Sequence, residues 1–417
     1  MHTGKERIIL HCDINHCYAQ IEEMRHPQLR EIAMAVGGNE MSRHGIILAK
    51  NDLAREFHIR TGESLREAKQ KCPHLTIVPP DFPAYLYYSE KVKDIYREYS
   101  DQVEDFGIDE AWIDVSDSVQ LFGDGMAIAR LIQKRVMEEV GLTVSIGVSF
   151  NKIFAKLGSD LVKPNGIVRI GKDNFQKIAW PLAIDQLFYV GRATKEKLHL
   201  LGIETIGALA CSSRLYLREQ LGKMGELIWW FANGENISDV ALAGAANEVK
   251  SVGNSITTAK NMENADDAKL VLYVLAESVA SRLKQKGLKG RVICVSYRTS
   301  ELKSFSSQQK IEQPTDISEE IAEIAFQLLK VNYRFTYPLR SIGISVSHLH
   351  RDRGYSQIQL FKSEKIREKN EKLDVAMQQI REKYGFYKVK RCCLEIDRTL
   401  TAFNPEKEHV IHPTGYF

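Results

Sequence analysis

One stretch constrains this chain more than any other: Val103-Glu104-Asp105-Phe106-Gly107-Ile108-Asp109-Glu110-Ala111-Trp112-Ile113-Asp114-Val115. From Gly107 on, small or charged residues alternate with apolar ones, and the run closes on Trp112, Ile113 and Val115. This pattern predicts a hairpin: a short strand, a tight turn near Gly107 and a second strand. Asp109 and Glu110 then stand side by side at the turn. An isolated adjacent acid pair is ordinarily a solvated turn, but here both flanks are apolar, so buried strands carry the carboxylates. Like charges held that close repel unless something neutralises them, and a divalent cation does so.

A second stretch matches the first. Ile8-Ile9-Leu10-His11-Cys12-Asp13-Ile14-Asn15 is an apolar run ending in an acid, the pattern of a buried strand that presents Asp13 at its end. If the two strands are neighbours, Asp13, Asp109 and Glu110 form a three-carboxylate cluster. Hard oxygen ligands without imidazole or thiolate favour Mg²⁺ or Mn²⁺ over zinc. Such sites serve two-metal phosphoryl or nucleotidyl transfer.

The chain is 417 residues long, which predicts two to four domains. Hydrophobic content of 44% and charged content of 27% are those of an ordinary globular protein, not of a disordered or membrane chain. Lys and Arg outnumber Asp and Glu by only 57 to 54, so any polyanion contact must come from local clusters. The seven cysteines form no C-x-x-C pair and are expected to be reduced thiols of a cytoplasmic protein. No signal peptide is recognised, and no apolar run approaches ~18 residues, so membrane insertion is not expected.

In chain order, the first acid strand leads into a short helix. Strands near 31–36 and 46–49 and helices over 51–57 and 64–70 follow. They form a small block carrying Arg43, Lys50, Arg55, Arg60, Arg66, Lys69 and Lys71, a basic patch able to grip a triphosphate. Residues 81–99 have helical spacing, with Tyr85, Tyr88, Val92, Ile95, Tyr96 and Tyr99 on one side, and this aromatic stripe is read as core. After the acid hairpin come a helix over 126–140, a strand over 143–149, a helix from Asn151, and a turn at 163–166 into a last strand. Residues 171 to about 240 turn helical, with a glycine-turn helical hairpin near Gly191 whose backbone N–H groups suit a phosphate. A flexible linker is expected at 244–247. Beyond it Arg282, Lys284, Lys286, Lys289 and Arg291 crowd a presumed loop without an acid and lead into a strand over 292–297, as expected of nucleic-acid phosphate contacts. A helix over 317–330 and a strand over 341–346 complete an α+β module. Residues 364–383 read as a charged helix. The last thirty or so residues carry no pattern that assigns them.

Taken together, these residues resemble the Y-family translesion DNA polymerases of the bacterial DinB (polymerase IV) and UmuC type. The resemblance runs in order from about 7 to 385. It rests on Ile108-Asp109-Glu110-Ala111 with Asp114-Val115, on Asp13-x-Asn15-x-x-Tyr18-Ala19, and on Asn151-Lys152-x-Phe154-Ala155-Lys156 through Lys163-Pro164-Asn165-Gly166. It implies an α+β multidomain right hand: palm at 1–22 and 79–170, fingers at 23–78, helical thumb at 171–240, DNA-binding little finger at 247–350, and a tail at 351–417. It implies that Asp13, Asp109 and Glu110, helped by the Ile14 carbonyl, hold two Mg²⁺, with Mn²⁺ able to substitute. Tyr18 corresponds to the steric gate against a ribose 2′-OH, and Arg55 and Lys163 to triphosphate contacts. Gly191 and the basic stretch from Arg282 to Arg291 correspond to DNA contacts. Gln357-Ile358-Gln359-Leu360-Phe361 is similar to the family's peptide for a sliding clamp. The implied partners are primer–template DNA, dNTPs and the clamp, and the implied state is a monomer. Asn15 replaces a family acid that is not a metal ligand. Asp52 and Ala49 replace a triphosphate-binding tyrosine and a neighbouring threonine, Gly107 replaces a serine, and Tyr189 replaces the first glycine of the thumb hairpin.

Two other readings stand beside a low-fidelity polymerase. A non-catalytic DNA- and clamp-binding family member agrees with Asp52 and Ala49 but not with the intact acids. A metal-dependent nucleotidyl cyclase predicts no basic module after residue 240, against the cluster at 282–291.

Overall fold

The computed structural model describes residues 7–38, 45–235, 238–245, 248–351 and 364–405. The chain divides into two compact units, with the break between Ala246 and Asn247.

Among the described residues the first unit carries eight strands: β1 (Ile9–Ile14), β2 (Met34–Gly37), β3 (Ile47–Lys50), β4 (Thr76–Val78), β5 (Val103–Phe106), β6 (Glu110–Asp114), β7 (Val144–Ser149) and β8 (Ile167–Ile170). Five of them form one sheet in the order β5-β6-β1-β7-β8, with β1 antiparallel to both neighbours. Buried on both faces, β1 is apolar almost throughout, as a central strand must be. The helix Phe82–Arg97 buries Tyr85, Val92, Ile95 and Tyr96 in the core on this sheet, so the aromatic stripe is packing, as read. The helix Lys152–Leu161 starts at Asn151, whose side chain caps it by accepting from the Phe154 N–H. It lies hard against β7 because Gly147 has no side chain: a Cβ there would stand 1.8 Å from the Ala155 carbonyl oxygen. That close approach brings Lys156 over the acid strands.

β2, β3 and β4 make a separate small sheet. Two short helices pack on it, Asp52–Glu56 capped by Asn51 and Leu65–Lys71 closed by a Ser64–Glu67 capping box. From 171 the unit becomes helical around its own core of Ile184, Leu187, Leu198, Ile206 and Leu217. The two predicted short helices are Arg192–Leu200 and Ile206–Cys211, turning at Gly202.

The second unit is a four-stranded antiparallel sheet of β9 (Ser251–Met262), β10 (Leu288–Thr299), β11 (Ser304–Thr315) and β12 (Leu339–Arg351), in the order β11-β10-β12-β9. The helices Ala265–Gln285 and Ser318–Asn332 share its core. One expectation changes here. The basic stretch is not a loop, because the helix runs to Gln285 and β10 begins at Leu288. The end of the chain, which the sequence pattern leaves unassigned, joins this unit, because Leu394, Leu400 and Phe403 are buried in the same core. The charged helix Glu364–Tyr384 joins this unit through buried Met377 and ion pairs described below. No described helix is long and apolar enough to cross a membrane. All seven cysteines are free thiols.

Candidate active site

The hairpin and the first acid strand are neighbours. Asp13 pairs with Glu110 across the β1–β6 ladder, and the Ile14 N–H donates to the Asp109 carbonyl at 2.9 Å. The turn is anchored from below: Gly107 takes φ 89°, a value glycine adopts without strain, and the buried Lys93 ammonium donates to its carbonyl at 3.0 Å. Ser89 donates to the Ile108 carbonyl. Asp114, the last acid of the motif, is structural. It accepts from Arg7 and from the Ser116 N–H and hydroxyl, tying down the start of β1. Asn15 is structural too, bonded to Thr143 and Ser145 on the far side of the sheet.

Burial and the mutual repulsion of three carboxylates set the electrostatics. Burial raises the Asp13 carboxyl to about 6; Lys163 opposes that shift and Glu110 adds to it. Burial raises Asp109 to about 6 as well, reinforced by Asp13 and Glu110. Two lysines meet the cluster. Lys163 Nζ donates to Asp13 Oδ2 at 2.7 Å and pairs with Asp160 at 2.8 Å. Lys156 Nζ donates to Glu110 Oε2 at 2.6 Å. Burial alone would lower the Lys163 pKa, but the Asp13 and Asp160 carboxylates outweigh it and raise it. His11 is fully buried under the site, 3.7 Å from Glu110 through Nε2 and bonded to Ser159 through Nδ1. Burial and then Lys156 lower its pKa to about 3, so the ring is neutral. Among the described residues, no three acid or imidazole side chains are drawn together tightly enough to hold a metal ion as they stand. The donor set still fits hard divalent cations: clustered carboxylates with a surplus of negative charge and, at present, ammonium partners.

The other predicted substrate residues lie in the same unit. The half-buried Tyr18 ring stacks on Tyr85 beside Asp109, whose charge adds to burial in raising the Tyr18 pKa. Arg55 is bonded to Asp52 at 2.6 Å, and Asp52 also meets His16 Nε2 at 3.2 Å. Asp52 is thus offset by the Arg55 guanidinium, while burial lowers the pKa of the neighbouring His16 imidazole and so disfavours its cationic form. Gly191 stands at the N-terminus of the helix Arg192–Leu200, which has no side-chain cap. Tyr189 takes a left-handed φ of 73°, with its ring against Phe188 and Phe231.

In the second unit the five basic residues are not equally accessible. Lys286 is exposed, whereas Arg282, Lys284, Lys289 and Arg291 are half-buried. Lys284 pairs with Asp374 and Asp316, and Lys289 with Glu371 and Asp316. The stretch lacks acids in sequence, but distant acids fold onto it. Gln357, Leu360 and Phe361 lie outside the described residues. Sequence reasoning missed Lys156, Lys93 and His11 as parts of the site. Lys156 and Lys163 carried a signal, seven residues apart beyond a capping Asn151.

A chimeric Y-family DNA polymerase of known structure superposes with a TM-score of 0.73 over 82% of this chain and 99% of its own, at 24% identity. The fold is therefore that of a Y-family polymerase. Residues 12–160 match the model of the impB/mucB/samB family, and residues 249–360 match that of the family's C-terminal domain. The DNA polymerase IV of Acetivibrio thermocellus is 42% identical over 95% of this chain and 99% of its own length. That of Alkaliphilus oremlandii is 34% identical over 93% and 99%. The chain belongs to the impB/mucB/samB family and, within it, to the DinB-type Y-family DNA polymerases of translesion synthesis. Its substrates are DNA and deoxynucleoside triphosphates, and the family works with divalent metal ions.

Proposed function

We propose that Asp13, Asp109 and Glu110, with the Ile14 carbonyl, form a two-Mg²⁺ centre for template-directed nucleotidyl transfer. The observation that carries this is the Asp13–Glu110 register, with Asp109 bonded through its backbone to Ile14. When bound, the cations supply the charge that acidifies the primer 3′-hydroxyl and neutralises the triphosphate. The residues do the rest. The carboxylates fix the position of that charge. Lys163 exchanges Asp13 for a phosphate oxygen, Arg55 exchanges Asp52 for another, and Tyr18 closes the sugar pocket.

The proposed division of labour is palm at 1–22 and 79–170, fingers at 23–78, thumb at 171–240, little finger at 247–350 and a tail at 351–417. Gly191 and the exposed Lys286 meet DNA phosphates, and Gln357, Leu360 and Phe361 dock a sliding clamp. Primer extension on a short primed template with Mg²⁺ and four dNTPs tests the reading. Extension by the wild type but not by an Asp109→Ala/Glu110→Ala variant is expected, and extension by both would remove the acids from the chemistry. Leu360→Ala/Phe361→Ala should leave bare extension unchanged and abolish stimulation by a clamp.

A further inference from the structure

Nothing in the polymerase reading accounts for Lys156. Its ammonium is 2.6 Å from Glu110 Oε2, the side chain is only 15% exposed, and Glu110 is 18% exposed. The nitrogen also lies 5.1 Å from the centre of the Phe106 ring and 5.8 Å from that of Phe188. On this side the palm opens into a cavity of about 420 Å³ lined by Phe106, Lys156, Asp160, Asp185, Tyr189 and Gly191. The cavity leaves the ammonium room to part from Glu110 while its stem stays beside Phe106 and Phe188; of the acids on its wall, Asp160 already pairs with Lys163 and Asp185 with Lys195.

We propose that Lys156 is a displaceable counter-ion of the metal site. It neutralises Glu110 while no cation is bound, and it yields to the cation by moving into the adjoining cavity. The proposal rests on the assignment of Glu110 as a metal ligand. The reason is charge: an ammonium and a divalent cation drawn to one carboxylate repel each other at close range, and the cluster without either would hold poorly compensated carboxylates in a poorly solvated place. Lys163 holds Asp13 in the same way that Lys156 holds Glu110. Lys156 then weakens cation affinity in the free enzyme and keeps the site folded when empty.

The test uses the full chain without DNA. Mn²⁺ binding is titrated at fixed pH and low salt, following free Mn²⁺ by electron paramagnetic resonance. Lys156→Met and Lys156→Gln should bind Mn²⁺ about tenfold more tightly than wild type, since a neighbouring positive charge is gone. Lys152→Met is the control. Lys152 is bonded to Glu104 rather than to the cluster, so its loss should change affinity by less than about twofold. In chelator the Lys156 variants should melt below wild type, and Mn²⁺ should raise their melting temperature by more. Displacement itself is read by amine acylation and peptide mapping: labelling of wild-type Lys156 should rise when Mn²⁺ is added. Unchanged or weaker affinity in both folded variants, or labelling indifferent to Mn²⁺, overturns the proposal alone. Equal Mn²⁺ binding by Asp109→Ala and wild type would overturn the metal site as well.

Discussion

The rings of Tyr18 and Tyr85 lie almost parallel, 4.5 Å apart between centroids and 12° between planes. Tyr85 is itself immobilised: it is fully buried, and its hydroxyl donates to Glu22 at 2.7 Å. Phe82 meets both rings edge-on at 5.6 Å. The proposed sugar gate is therefore a ring backed by a fixed ring, and its exclusion of a 2′-hydroxyl depends on both. Tyr18→Ala should cut discrimination between dNTP and rNTP by roughly a hundredfold, the scale on which packing alone separates substrates. Tyr85→Leu keeps the core apolar but removes the stacking plane and should cause a smaller loss of the same kind. The ratio of kcat/KM for dCTP and CTP opposite one template guanine measures both. An unchanged ratio in Tyr18→Ala would take the gate role from it.

Asp52 holds the guanidinium that is proposed to receive the triphosphate. Asp52→Asn frees Arg55 and adds one unit of positive charge beside it, so KM for dNTP should fall severalfold at low salt, with kcat little changed. The gain should fade as ionic strength rises, because both groups are exposed. A rise in KM would mean that Asp52 positions Arg55 rather than competing for it.

What was legible in the sequence depended on whether a residue's surroundings are local. The acid hairpin and β1 could be read because apolar runs announce buried strands, and their acids necessarily end at the same edge once paired. The i,i+3 pair of Asp52 and Arg55 lies on one short helix, and its partner position was within reach. Lys156 was not legible as a partner of Glu110, because it reaches β6 only through the packing of its helix on β7 and β1, which Gly147 permits. The second unit misled for the opposite reason. β11 is an edge strand with a polar, mostly exposed sequence, so it has no apolar signal. Lys284 and Lys289 looked unopposed because Asp316, Glu371 and Asp374 lie far along the chain.

The raised carboxyls give the metal-free protein a pH dependence of definite sign. Asp13 and Asp109 titrate at about 6 in the folded chain, against a reference of 3.8. The folded state thus binds more protons than the unfolded one between those values, and stability falls as pH rises through the window. Melting in chelator should shift downward from about pH 4 to about pH 6 and then level off, and Asp109→Asn should flatten that slope. Cation binding must release those protons, so Mg²⁺ should raise the melting temperature little at pH 5 and strongly above pH 7. A slope identical in wild type and Asp109→Asn would mean that other groups govern it.

Glu277 joins the end of the chain to the second unit. It is buried on the helix Ala265–Gln285 and accepts from Arg381 at 2.8 Å and from Arg391 at 2.7 Å. Arg391 also meets Glu319, the Ser318 hydroxyl and the face of Tyr273. Removing the one buried acid that both guanidiniums share leaves two half-buried cations short of a partner, a larger loss than the pair's own worth. Glu277→Leu should therefore destabilise the second unit by about 3–5 kcal/mol, and Glu277→Gln, which keeps an acceptor, by clearly less. Leu400→Ala, which removes only apolar packing, should cost about 2–4 kcal/mol. Urea unfolding of the full chain separates the cases. If both Glu277 variants lose less than about 1 kcal/mol, the range of exposed surface pairs, the network is not what holds the C-terminal helix in place and the packing of Met377, Leu394, Leu400 and Phe403 must do so.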